Sequence, residues 1–191
     1  LPKKKEKNFK KEIEATREEV KLKIEDMKAS FKENISKIKD ENKKISSEKI
    51  ITIIQALNTK FTGQLSVKID QIENVLVGIE SRISKADTNG IDTSLAKAEV
   101  LKAKEAITIA RDAINTQTSK IYTIGAVDES TLRSEMKKLR DSFGADIKTL
   151  NTKIKAAHTA VKNTATTLAK VPKVDDDSTN KVEDNTINNN Q

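Results

Sequence analysis

The side chains able to do chemistry are few, and they do not converge. His158 is the one histidine, and it sits beside the apolar Ala157 in a stretch rich in Ala and Thr. A zinc ligand or a general base needs partners, and neither a His-x-x-x-His spacing nor a Cys accompanies it. It reads as a helix-surface residue. The neighbouring acids Glu18-Glu19, Glu25-Asp26 and Asp40-Glu41 are of the right type for acid and base work. Adjacent positions on a helix diverge by about 100°, however, and in water nothing splits their pKa values. Asp175-Asp176-Asp177, with Glu183 and Asp184 further on, lacks the Gly at the sixth position and the closing Glu of a helix-loop-helix calcium loop. No Gly-rich phosphate loop, nucleophile elbow or dinucleotide fingerprint is present. Cysteine is absent, which excludes disulfides, thiolate metal sites and thiol catalysis. The expectation is a non-enzymatic chain with no cofactor and no metal.

Binding chemistry has two candidates. Lys3, Lys4, Lys5, Lys7, Lys10 and Lys11 form the most concentrated charge, and clustered cations bind polyanions by releasing counterions. Nucleic acid, an anionic membrane or a cell-wall polymer would each qualify. Glu6 and Glu12 interrupt the run, and no aromatic residues interleave to stack bases, so a solvated helix start is the plainer reading. The net charge of +7 is spread along the chain: residues 1–49 carry 16 basic and 11 acidic side chains, and residues 50–171 carry 18 and 13. Such a mixed surface is first a solubility device.

The second candidate is an apolar stripe. Ile13, Val20 and Met27 recur at steps of seven, interleaved with Ile24, Phe31, Ile38 and Ile45. That alternation is a coiled-coil seam, and Asn34 falls on one of its core positions, where a buried Asn specifies register. Ile13, Val20, Ile24, Met27, Phe31, Asn34 and Ile38 are therefore the expected contact set for a protein partner or a second copy.

The elements that carry these residues are helices. Aromatic residues make up only 3% of the chain and charged ones 34%, so narrow seams between helices are easier to build than a thick core. Both Pro lie near the ends, at Pro2 and Pro172. Past residue 50 a new stripe runs through Leu57, Phe61, Leu65, Ile69, Ile72, Leu76, Ile79, Ile83 and Ala86. It is offset by two residues from the first, roughly 200° around a helix, so the two halves face different partners. Ser46 and Ser47 offer a cap for a fresh helix here, although a continuous helix through 45–50 is favoured by the lack of Gly and Pro.

Asn89-Gly90 marks a tight turn, with Asp92 placed to cap the next helix. That helix carries Val100, Ala103, Ile107, Ala110, Ile114 and Ile121, and Gly125 marks its end. A third helix follows Asp128, with Val127 and Leu132 as a hydrophobic staple, and runs through Met136, Leu139, Phe143, Ile147, Leu150, Ile154, Ala157, Val161 and Leu168 to Val171-Pro172. Tyr122 falls in the intervening loop, as a contact residue or as a packed anchor.

Residues 79–107, with Ser81-Arg82-Ile83, Gly90-Ile91-Asp92-Thr93-Ser94 and Ala103-Lys104-Glu105-Ala106-Ile107, resemble a family of uncharacterised, exported helical proteins of candidate-phyla bacteria. In that family a Lys- and Glu-rich helix leads into a helical hairpin, with no assigned activity. The resemblance implies an extracytoplasmic or cell-surface setting and a structural or binding role. The chain starts at Leu1 rather than Met, which is expected of a processed chain or a fragment.

The expected fold is all-α: an elongated three-helix bundle or coiled coil with a long projecting N-terminal helix. Residues 1–49 form the charged, coiled-coil-like helix, and 50–171 the bundle, with helices at about 50–86, 93–121 and 129–171. Residues 172–191 form an acidic, Asn-rich tail expected to be disordered. No stretch has the apolar length of a membrane span.

Overall fold

The structure, a computed structural model, describes the backbone of residues 2–172 and the side chains of 9 and 11–172. The tail from Lys173 lies outside these described residues, so the expected disorder does too. Every element described is helical: α1 spans Pro2–Asn34, α2 Glu41–Thr88, α3 Ser94–Thr118 and α4 Leu132–Ala169.

One expected feature is corrected. The first helix does not project as a single rod; it ends at Asn34, turns through 35–40, and lies back along α2. The phase offset supplies the reason. A straight rod can turn only one of two stripes about 200° apart toward a common core, whereas a hairpin buries both. Phe9 and Ile13 of α1 thereby join Leu65, Ile69 and Ile107 in an upper core cluster, while Phe31, Ile35 and Ile38 join Ile51 and Ile54 in a lower one. Asp40 caps the new helix, accepting from the amides of Asn42 at 3.0 Å and Lys43 at 3.2 Å. Ser46 and Ser47 lie inside α2 and cap nothing, and α2 runs unbroken through 45–50.

At the top, α2 ends as the Asn-Gly pair predicts. Gly90 has φ +75, its amide donates to Asp87 O at 3.0 Å, and the Ile91 amide donates to Ala86 O at 3.0 Å. Those two bonds satisfy the last carbonyls of the helix. α3 returns antiparallel to α2 across this short turn, and charge pairs line the seam. Asp87 meets Lys97 at 2.7 Å, Glu80 meets Lys104, and Glu73 meets Arg111, each step advancing one heptad on both helices. α3 stops at Thr118, earlier than Gly125 suggested, and residues 119–131 continue its path as an extended strap. Tyr122, Ile124 and Val127 of the strap point into the lower cluster beside Leu132 and Met136.

α4 then rises parallel to α2, led in by a turn that the Asp128 side chain closes. One Asp128 carboxylate oxygen accepts from the amides of Ser130 at 2.9 Å and Thr131 at 3.0 Å and from both their hydroxyls. The Ser130 hydroxyl foremost, then the Thr131 amide and hydroxyl, hold this carboxyl down from an ordinary 3.8 to about 2.

Two stability predictions follow from these ends. Nothing lies within 4 Å of a Cβ built on Gly90, so Gly90→Ala tests backbone strain alone. It should lower stability in urea by about 1 kcal/mol, with Gly90→Asn between the two. For Asp128 the folded pKa lies below the unfolded value, so its contribution is present above pH 3.8 and is lost as pH falls toward 2. The urea midpoint of Asp128→Asn should be lower than the parent's at pH 7, and the gap should close across that window.

Candidate interaction site

α1 lies in the groove between α2 and α3, parallel to α3. Its contacts advance in step with α3 and the strap: the Arg111 guanidinium sits 4.2 Å from the Phe9 ring centroid, Thr16 Oγ1 donates to Asn115 Oδ1 at 3.2 Å, and Asn34 reaches residues 124–127. Arg111 is itself held from α2, by Asp70 at 2.9 Å and by Glu73. The ring of Phe9 therefore closes over a cation already paired on its other side.

Most of the expected contact stripe is occupied by its own chain. Ile13, Val20, Phe31 and Ile38 are buried, and Met27 packs half-buried on the lower cluster with Ile24 half-exposed on the same helix face. Asn34 does not pair with another Asn across a seam. Its Nδ2 donates to Ile124 O at 3.0 Å and its carbonyl accepts from the Val127 amide at 3.1 Å, which ties the end of α1 to the strap.

One residue of this face was not anticipated. Arg17 lies four residues after Ile13 and three before Val20, on the same side of the helix, and its guanidinium rests over Gly63 of α2. A Cβ at Gly63 would meet Arg17 Nη2 at 2.9 Å, so the glycine makes the room. Nε and Nη2 of Arg17 are buried with no hydrogen-bond partner among the described residues. The helical spacing Ile13, Arg17, Val20 carried this signal, but the heptad template passed over the position.

Comparison with protein-family models, with curated proteins and with solved structures found no match. The functional reading therefore rests on geometry.

The other candidates fall outside this groove. Of the Lys cluster, Lys11 is exposed, and the side chains of Lys3, Lys4, Lys5, Lys7 and Lys10 lie outside the described residues. The paired acids are spent locally: Glu19 on Lys23 at 2.5 Å, Glu25 on Lys28 at 2.6 Å, Asp40 on its helix cap. His158 is exposed on α4, at a shallow groove with Lys68, Val75 and Lys162. No group of His, Asp or Glu able to hold a metal occurs among the described residues, and no described helix is long and apolar enough to cross a membrane. Asp175-Asp176-Asp177 lies outside the described residues.

Tyr122 is a packed anchor. Its hydroxyl donates to Asp146 Oδ2 at 2.6 Å and accepts from Gln117 Nε2 at 2.7 Å, while its ring stands edge-on to Phe143 at 5.2 Å. Burial foremost, then the bond to Asp146, raises the phenol above its ordinary 10.0. Burial would raise Asp146 as well, but Lys120 at 2.7 Å and the Tyr122 hydroxyl together outweigh it and lower that carboxyl.

A raised phenol contributes stability that is fully present below pH 10 and is lost as pH rises through the folded value. Tyr122 is the one Tyr in a chain without Trp, so its phenolate absorbance is unobscured. The folded chain should show no phenolate signal at pH 10, where a free tyrosine is half ionised. Tyr122→Phe should flatten the alkaline stability loss.

Proposed function

We propose that this chain is a non-enzymatic helical interaction protein in which α2, α3 and α4 form a permanent three-helix bundle and α1 is an exchangeable docking helix. In the closed state α1 lies in its own α2/α3 groove. When it lifts, Ile13, Val20, Ile24, Met27, Phe31 and Ile38 become a coiled-coil seam for a partner helix. Asn34, released from the strap, joins that seam as its polar position. The preferred partner carries an acidic residue opposite Arg17.

Arg17 is the observation that supports this reading. A buried guanidinium donor with no acceptor costs more than the same group left in water. Placed mid-stripe, it weakens the intramolecular seat while leaving the apolar contacts on both sides intact. A partner carboxylate would satisfy it, and the closed chain does not. An extracytoplasmic setting is part of the proposal, and it rests on the resemblance of residues 79–107 to exported helical proteins.

Hydrogen exchange tests the reading. The amides of α1 should exchange well before those of α2–α4, as a separate opening unit. Arg17→Met should stabilise the seat by about 1–2 kcal/mol, slowing exchange in α1 by roughly tenfold with little change elsewhere. Exchange of α1 in step with the bundle, unaltered by Arg17→Met, would sink the idea.

A further inference from the structure

The side of α2 facing away from the bundle carries a second apolar stripe that the core does not use. Ile45, Ile53, Val67 and Val75 are 43%, 56%, 59% and 57% exposed. At 100° per residue they fall within an arc of about 120°, centred roughly 150° from the buried stripe of the same helix. Between residues 45 and 78 this arc holds no acidic residue and only Lys49 and Lys60 as charges, in a chain that is 34% charged. Depletion of charge around exposed aliphatic side chains is the compositional mark of an interface core.

The spacing identifies the occupant. The four positions are symmetric about residue 60, with Ile45 and Val75 fifteen residues to either side and Ile53 and Val67 seven. We infer that α2 packs through this face against α2 of a second copy, antiparallel, with the two-fold axis at Lys60. That alignment sets Ile45 against the second copy's Val75 and Ile53 against its Val67. It also sets Lys49 opposite the Gln71 amide. A parallel alignment would instead stack every lysine on its own copy, so charge favours the antiparallel one. Only the axial Lys60 pair then meets like with like, and long stems let both ammonium groups reach water.

The contact runs thirty residues, about 45 Å, and a strip about 10 Å wide covers about 450 Å² on each copy. That is below the usual size of a stable dimer, so the pair is weak, with a Kd on the order of tens of micromolar. The α1 seat borders this surface at Gly63, on the azimuth of Ile45, while Ile53, Val67 and Val75 lie about 40–120° further round, and the inference does not depend on α1 opening.

The absence of cysteine makes the test clean. Three variants at exposed positions, Lys60→Cys, Ile45→Cys and Val75→Cys, are oxidised mildly at about 100 μM chain, above the expected Kd. Lys60→Cys alone should form disulfide-linked dimers. Ile45→Cys and Val75→Cys should not link when oxidised singly, because like positions lie about 45 Å apart, and should link when mixed. In sedimentation equilibrium, Val67→Asp should weaken association at least tenfold without changing helicity. Equal linking by all three single variants overturns the inference. So does a monomer at all concentrations with no linking by any variant.

Discussion

A layer of buried amides divides this bundle, and the rest of the fold is arranged around it. Gln55, Asn58 and Gln117 are buried between the two apolar clusters. Asn58 Nδ2 donates to the carbonyls of Gln117 at 3.0 Å and Lys120 at 3.3 Å, its Oδ1 accepts from Gln117 Nε2 at 2.8 Å, and Gln55 Nε2 donates to Tyr122 O at 3.1 Å. The carbonyls of Lys120 and Tyr122 are left over where α3 ends inside the molecule, while that of Gln117 also accepts from the Lys120 amide at 3.2 Å. Without α2 to take them, a helix end at Thr118 would leave acceptors buried and unmade, each costing about 1–3 kcal/mol. With them taken, the chain can exchange helix for strap in mid-bundle and send Tyr122, Ile124 and Val127 into the lower cluster. The same bonds align α2 with the end of α3. Through Tyr122 and Asp146 they extend to α4.

The upper half uses a different device. There a heptad ladder from Asp87–Lys97 to Glu73–Arg111 lines the α2/α3 seam, and Arg111 is its rung most withdrawn from water. The exposed rungs contribute little energy each. A one-heptad slip would still set acid against base at two of the three rungs, so the short turn between Thr88 and Ser94 is what excludes it. Arg111 then serves α1 as well, since Phe9 stacks on it. One residue thus couples the α2/α3 seam to the seat of the first helix.

The sequence was legible where local chemistry decides structure. The Asn89-Gly90 turn, the Asp128 start of α4 and the buried face of α2 from Leu65 to Ala86 all follow from backbone requirements and period. It misled where tertiary contacts decide. The turn at 35–40 contains neither Gly nor Pro, and Ile38 keeps the heptad phase, which leaves the capping Asp40 as its one local signal. Burial of Ile35 and Ile38 in the lower cluster breaks the helix. Gly125 drew attention as a helix stop, but the helix ends at Thr118, beside Gln117, whose side chain and carbonyl are bonded by Asn58 fifty-nine residues earlier. The site was half legible: the stripe of α1 is apolar and buried, while what covers it and the charge at Arg17 depended on which groove α1 entered.

The two faces of α2 bear on each other. α1 reaches α2 beside Ile51 and Thr52 and, through Arg17, at Gly63, which shares the azimuth of Ile45, so the α1 seat borders the outer stripe on one edge. In the proposed antiparallel pair the α2 helices run in opposite directions, so the two turns at 35–40 lie toward opposite ends of the contact. Each α1 would then have its hinge at its own end, and lifting one would not require lifting the other. In that proposal a weak pair with a releasable helix at either end would serve as a two-headed connector. The hinges at residue 40, each twenty residues from the axis at Lys60, would lie roughly 60 Å apart. In the same proposal α2 presents a core face, an α1 seat and an outer face on the same turns, so one length of helix serves all three.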